Sequence, residues 1–433
     1  MQRRNILKGF GASAVALPGL TACGTGGGGD VELSDEEVTL RMTWWGSDTR
    51  HGLTQEAIEA FQSEHSNITI KSEYKDWTGY WDALATTTAG GDSPDVMQMD
   101  ELYLASYGGR GALLDLADTG EYLDSSKIEE SLMDTGKVDG TQYAMPIGAG
   151  VLTLVANADL FAEYGMDLPD DSAWTWDDYA ALSADLTEAS GGAISGSGIT
   201  GGFDHGSVRY WARQNGSDLF TADGNVALDP ALLVEQWEFF LGLIDSGAVE
   251  SPAEMVESIN GGVDSGNIAT GKVAMGNAYN TMITALRNAA GADLRLLRPP
   301  LKPDGEEGLY FKPSMYWSIS SQSQHPAEAA LLIDFLVNSE AAADILKTER
   351  GIPANTDLRE RVSTDLEEGD QLALDYMNSL EPGPVSPVTP NGGSDVDPMI
   401  QRYAQEVYFG EREPAEAAEA FIEEIQGQID AAK

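Results

Sequence analysis

The chain has 433 residues, 42% of them hydrophobic, with nine Trp. That is apolar material for a large core and more than one lobe, and it excludes a disordered chain despite a net charge of −46. Acidic residues outnumber basic ones 71 to 25, and only ten of the basic residues are Lys, which excludes a nucleic-acid binder and suits a halophilic protein whose like charges are screened by concentrated salt.

Residues 1–22 read as a targeting segment. Arg3-Arg4-Asn5-Ile6-Leu7-Lys8 is a twin-arginine export motif, followed by an apolar run from Gly9 to Leu20 that is too short and Gly-rich to span a membrane. Leu20-Thr21-Ala22-Cys23 has the form of a lipobox, and Cys23 is the sole Cys of the chain. The expectation is a protein at the extracellular face of the membrane, held only by a lipid on Cys23. Residues 23–37 form a flexible Gly-rich and acidic tether.

The folded part opens at Val38, where Val38, Leu40 and Met42 alternate with polar residues as in a strand. The strand runs into Trp44-Trp45-Gly46-Ser47-Asp48-Thr49-Arg50, and a helical pattern begins at about Gly52. A second strand at Ile68–Ser72 leads to Asp76-Trp77, then a helix carries Tyr80, Trp81 and Leu84. Pro94 to Met99 is a third strand, ending in Asp100-Glu101-Leu102-Tyr103. This alternation predicts a parallel, doubly wound sheet with its site at the carboxyl ends of the strands. Tyr143 to Gly150 marks a crossing between lobes, and Val151–Val155 a strand beyond it. Thr175 and Asp178 form a capping box, and Asp229-Pro230 opens a long helix. Gly196 to Gly201 matches G-x-G-x-x-G, but no helix opens on it, so it reads as a turn. Gly271 to Asn280 is a short buried strand entering a polar, aromatic loop, and Leu294–Leu297 with Pro299-Pro300 suggests a second crossing. Tyr316 to Ser320 is a strand, Pro326 to Val337 a helix, and Thr348 to Pro353 a tight turn.

No catalytic or metal constellation emerges. The four His are scattered, no pair has ligand spacing, and no G-x-S-x-G elbow is present. No enzyme activity, cofactor or metal is expected. What recurs is an aromatic ring beside a polar group at a strand end: Trp45 with Asp48 and Arg50, Trp77 with Asp76, Asp100 with Tyr103, Asn277 with Tyr279, and Trp317 with Tyr316. Sugars ask for that pairing, because their C–H faces stack on rings and their hydroxyls take planar polar partners. Trp44 and Trp81 read as core. Arg50 and Arg350 are the basic candidates for the cleft.

The chain resembles the family 1 extracellular solute-binding proteins of ABC importers, the maltose-binding-protein-like carbohydrate group. The resemblance is carried by TWWGSD, PDVMQMDELYLASYGGRGALLDL, MPIGAGVLTLVANADLFAEYGMDLP with TWDDY, GKVAMGNAY, and HPAEAALLIDFLVNSEAA with ERGIPAN. It implies a periplasmic-binding-protein-like α/β fold: two doubly wound lobes joined by a hinge, with the ligand cleft between them. The N-terminal lobe would comprise 38–146 plus 293–338, and the C-terminal lobe 150–290 plus 341–433. It further implies a monomer that captures a sugar or oligosaccharide, closes and delivers it to the ABC permease. The alternatives are the same fold binding a polyol, glycerol phosphate or peptide, or an exported glycan-acting enzyme. Where maltose binders place a carboxylate against sugar, this chain has Gly148-Ala149-Gly150.

Overall fold

The computed structural model describes residues 32–303, 305–381 and 383–433; the export motif at Arg3-Arg4 and the lipobox Cys23 lie outside the described residues. The first strand, β1 (Val38–Trp45), buries Val38, Leu40, Met42 and Trp44 in one core cluster, while Trp45 packs into another. Adjacent strand residues point to opposite faces, so the Trp pair divides between two cores. The Ser47 side chain accepts a hydrogen bond from the Arg50 amide and starts α1 (Asp48–Glu64). This cap moves the helix start upstream of Gly52 and puts Asp48 and Arg50 in the first helical turn. β2 (Ile68–Lys75) pairs parallel with all of β1, from Val38↔Ile68 to Trp45↔Lys75. Asp76 caps α2 (Trp77–Ala89), and the fully buried β3 (Val96–Met99) pairs parallel with β1.

Past α3 (Leu104–Gly108), α4 (Glu130–Asp134) and the small hairpin of β4 (Lys137–Val138) and β5 (Thr141–Gln142), the chain crosses between sheets. β6 (Met145–Gly150) and β7 (Leu152–Asn157) are separated by Val151 alone yet belong to different sheets. Beyond the crossing come α5 (Ala158–Glu163), α6 (Trp176–Ala189), α7 (His205–Arg213), α8 (Pro230–Ser246) and α9 (Pro252–Ser265). The Thr175/Asp178 box opens α6, and Asp229 caps α8 with Pro230 in its first turn, both as the sequence predicts. β8 (Met275–Tyr279), α10 (Ile283–Ala290) and β9 (Leu294–Leu297) complete this unit's sheet. The chain returns through β10 (Lys312–Ile319), α11 (Pro326–Asn338), α12 (Glu340–Leu346), β11 (Ile352–Pro353) and α13 (Thr356–Val362). It ends in α14 (Glu368–Asn378), α15 (Val396–Tyr408) and α16 (Pro414–Ala432).

The larger sheet has the order β11-β6-β10-β3-β1-β2 and the smaller β8-β7-β9. β10 runs antiparallel to both β3 and β6, and both pairings of β7 are antiparallel. Two strands change sheets relative to the sequence reading. Leu294–Leu297, placed there with the N-terminal lobe, pairs with β7 in the smaller sheet; Ile352–Pro353, placed with the C-terminal lobe, pairs with β6 in the larger. Both pairings are non-local, so no pattern within the segment reports them. The end of the tether is also fixed: the Ser34 amide donates to the buried Glu328 carboxylate at 2.6 Å, and Asn67 Nδ2 donates to Ser34 O at 3.2 Å.

Candidate ligand-binding site

The carboxyl ends of β1 and β3 and the start of α2 build an aromatic wall. Trp45, 8% exposed, has its ring centroid 5.0 Å from Trp77, 5.3 Å from Tyr80 and 5.6 Å from Trp81. Trp81 stacks on Tyr103 at 3.8 Å and 21°. Trp77, 39% exposed, is the member of this group that offers ring surface to solvent. Asp76 aims it by capping α2, accepting from the Gly79 amide at 2.9 Å. A cavity of about 520 Å³ opens beside Trp81, Tyr103 and Tyr107, reached from the other unit by Ser394. Ser106 Oγ and Ser394 Oγ approach to 3.2 Å there.

A second cavity, about 370 Å³, is lined by Asn277 and Tyr279 of β8, Phe203 and Asp204 before α7, Met255 of α9 and Asp397 of α15, among others. Tyr279 lies close to the α7 start because residue 206 is Gly: a Cβ there would stand 2.6 Å from the Tyr279 hydroxyl. Burial pushes the Tyr279 phenol well above its ordinary pKa, so it remains a neutral hydroxyl.

A charged junction ties the end of β3 and the start of β10 to α7. Glu101, just beyond β3, is within 3.2 Å of Lys312 Nζ, 3.4 Å of His205 Nε2 and 3.9 Å of Arg209 Nη1. Burial works against its charge, but Lys312, His205 and Arg209 hold its carboxyl well below the usual range. Burial also opposes charge on His205, yet hydrogen bonds to Asp397 and Glu101 push it up to about 9. Asp100, 8% exposed, is raised by burial and accepts from the Leu102 amide at 3.0 Å.

The sequence candidates divide on this geometry. Asn277 and Tyr279 line the smaller-sheet cavity, Trp45 and Trp77 share the aromatic wall, and Asp100 adjoins the junction. The other four lie elsewhere. Asp48 is exposed and accepts from the Tyr74 hydroxyl of β2 at 2.6 Å. Arg50 pairs with Glu349 at 2.8 Å and donates to Trp45 O at 3.2 Å, so its donors are occupied by the protein. Arg350 is 3% exposed; it donates to Thr54 at 2.8 Å and Gln98 at 3.2 Å and lies 5.2 Å from the Trp317 ring. Trp317, 1% exposed, is sealed in the core of β10. Arg50, Trp317 and Arg350 are therefore corrected from ligand contacts to internal ties. The reason is the docking of the Thr348–Ile352 turn onto α1 and β6, which no local pattern shows; it leaves no room at Gly148, where a Cβ would meet Arg350 O at 2.6 Å.

Comparison with known proteins decides what kind of molecule this is. The family model described as bacterial extracellular solute-binding protein matches residues 56–370. The chain belongs to that family. The arabinooligosaccharide-binding protein of Halalkalibacterium halodurans is 25% identical over 332 residues, covering 73% of this chain and 72% of its own. Among solved structures, a periplasmic solute-binding protein from Pectobacterium atrosepticum aligns with a TM-score of 0.80 at 24% identity, over 91% of this chain and 99% of that one. The oligogalacturonide-binding protein of Yersinia enterocolitica, in complex with saturated digalacturonic acid, gives 0.78 at 26%, over 92% and 100%.

This solute-binding protein thus has the periplasmic-binding-protein fold and serves an ABC importer as its extracellular, non-catalytic capture subunit. Sequence reasoning on the solute-binding protein passed over His205, Arg209, Lys312 and Asp397. Glu101 adjoins Asp100; the other four are isolated charges spread over α7, β10 and α15, and only the fold collects them.

Proposed function

We infer that the protein captures a neutral sugar or short oligosaccharide between its two units and hands it to the permease. The observations that carry this reading are an exposed indole, Trp77, in the larger-sheet unit and a roughly 370 Å³ cavity lined by Tyr279 and Asn277 in the smaller-sheet unit. Rings against sugar C–H faces, with an amide and carboxylates for hydroxyls, make a carbohydrate site of ordinary size. Relatives that bind arabinooligosaccharides and maltodextrins support the same class. The bodies that close are a larger-sheet unit, 38–149 with 312–362, and a smaller-sheet unit, 152–297 with 368–433. Export by the twin-arginine route and a lipid on Cys23 complete the proposal, with the Ser34–Glu36 end of the expected 23–37 tether held against Glu328 and Asn67.

The test is a Trp-fluorescence and calorimetric titration of the tether-less protein against neutral mono- and oligosaccharides and polyols, in concentrated KCl. A spectral shift with saturable heat is expected for at least one sugar. Silence across the sugars with a response to a polyol moves the ligand to the polyol class. Detergent-phase partitioning of the full chain, abolished in Cys23→Ala, is the expected result for the anchor; a Cys23→Ala protein that still partitions removes it.

A further inference from the structure

Each cation at the charged junction has a carboxylate within ion-pair distance. Arg209 and Arg213 share Asp218, at 3.2 and 3.1 Å. His205 is held by Asp397 at 2.8 Å. Lys312 has one carboxylate within ion-pair distance among the described residues, that of Glu101. Glu101 also faces His205 and Arg209, so a single carboxylate from the end of β3 answers cations carried by β10 and α7. These groups are sequestered: Arg209 is 1% and Glu101 11% exposed at the side chain. Asp100 and Asp204 stand close enough to feel His205, and among the described residues neither has a cationic nitrogen within ion-pair distance.

We propose that Glu101 determines charge specificity: it occupies, from the protein's own chain, the cationic position that the carboxylate of an acidic sugar would take, so that the site accepts neutral solutes and rejects uronates. This builds on the reading of the cleft as a sugar site. A carboxylate brought into such a site finds each cation already paired and stands beside Asp100 and Asp204, whose charges Lys312 and His205 offset only in part, so burying it is unfavourable. A hydroxyl brings no such cost. Deleting Glu101 leaves Lys312, His205 and Arg209 under-neutralised, which is a seat for an exogenous carboxylate.

The experiment compares the wild type with Glu101→Ala at fixed KCl, by calorimetry and thermal shift, using three probes: digalacturonate, propionate and a neutral disaccharide panel. The wild type is expected to show no response to digalacturonate. Glu101→Ala is expected to gain digalacturonate binding by at least tenfold in Kd, and to be stabilised by propionate, which replaces the lost side chain. The proposal is overturned if the wild type binds digalacturonate, or if Glu101→Ala gains neither anion. If Glu101→Ala does not fold, the near-isosteric Glu101→Gln takes the same arms, and the wild-type arm decides independently. The neutral panel reports on the sugar reading alone: its failure, with anion gain intact, sinks that reading and leaves the charge role of Glu101 standing.

Discussion

Tyr279 and Arg350 are both aromatic-associated residues near a strand end, yet their environments set opposite expectations. Tyr279 lines a cavity, so Tyr279→Ala should weaken sugar binding about tenfold or more, roughly 1.4 kcal/mol, with little loss of stability. Gly206→Ala should act in the same direction, by pressing a methyl on the Tyr279 hydroxyl. Arg350 is buried with Glu349, Thr54 and Gln98 as partners. Burial and the nearby Arg50 lower its pKa to about 9. Arg350→Met should cost about 2–4 kcal/mol in denaturant unfolding and leave the affinity of the folded protein unchanged. Full stability with lost affinity would return the guanidinium to the cleft. His205 makes the pH dependence. Its folded-state pKa, about 9, lies above the unfolded value of roughly 6.5. Its contribution is therefore complete below about pH 6.5 and disappears as pH rises through about 9. Unfolding free energy should fall across that window in the wild type and lose this component in His205→Gln; parallel curves for the two proteins would contradict the assignment. Asp397, Glu101, Asp204, Arg209, Lys312 and Tyr279 are the charged or titratable neighbours that set this window.

At the scale of the element, caps decide where side chains point. The Thr175/Asp178 box and the Asp229-Pro230 start were legible because a cap is a contact within three residues. Ser47 is the same kind of cap, hidden by the Trp-rich segment before it, and it places Asp48 and Arg50 in the first turn of α1. Ser47→Ala should cost about 1 kcal/mol in thermal or denaturant unfolding. No measurable cost would mean that the Arg50–Glu349 pair alone holds the start of α1. The strands β9 and β11 were visible as segments but not as partners. A strand of two to four residues carries too little pattern to choose between two sheets, and the partner of β11 lies about two hundred residues upstream.

At the scale of the molecule, charge and closure are the properties to measure. With 71 acidic and 25 basic residues, self-repulsion destabilises the compact state until salt screens it. The melting temperature should rise steadily between about 0.2 M and about 3 M KCl, where the Debye length falls below roughly 5 Å; a flat profile would remove the halophile reading. The two proposed units are joined by the β6–β7 crossing, the return from β9 to β10 and the passage from α13 to α14. Hinge closure on a sugar should contract the radius of gyration in solution scattering, whereas a ligand bound to one unit alone would leave it unchanged.

Composition, strand alternation, most helix caps and the order of strand-end aromatic motifs were determined by the chain itself, since each depends on neighbours a few residues apart. They sufficed for the family, for the two-sheet α/β plan and for Trp45, Trp77, Asp100, Asn277 and Tyr279 as candidates. What only the tertiary structure decided is which charges meet. Arg50 finds Glu349 across 299 residues, and Glu101 finds Lys312, His205 and Arg209 on two other elements. Electrostatic partners are set by distance and burial in space, and neither quantity exists along the sequence.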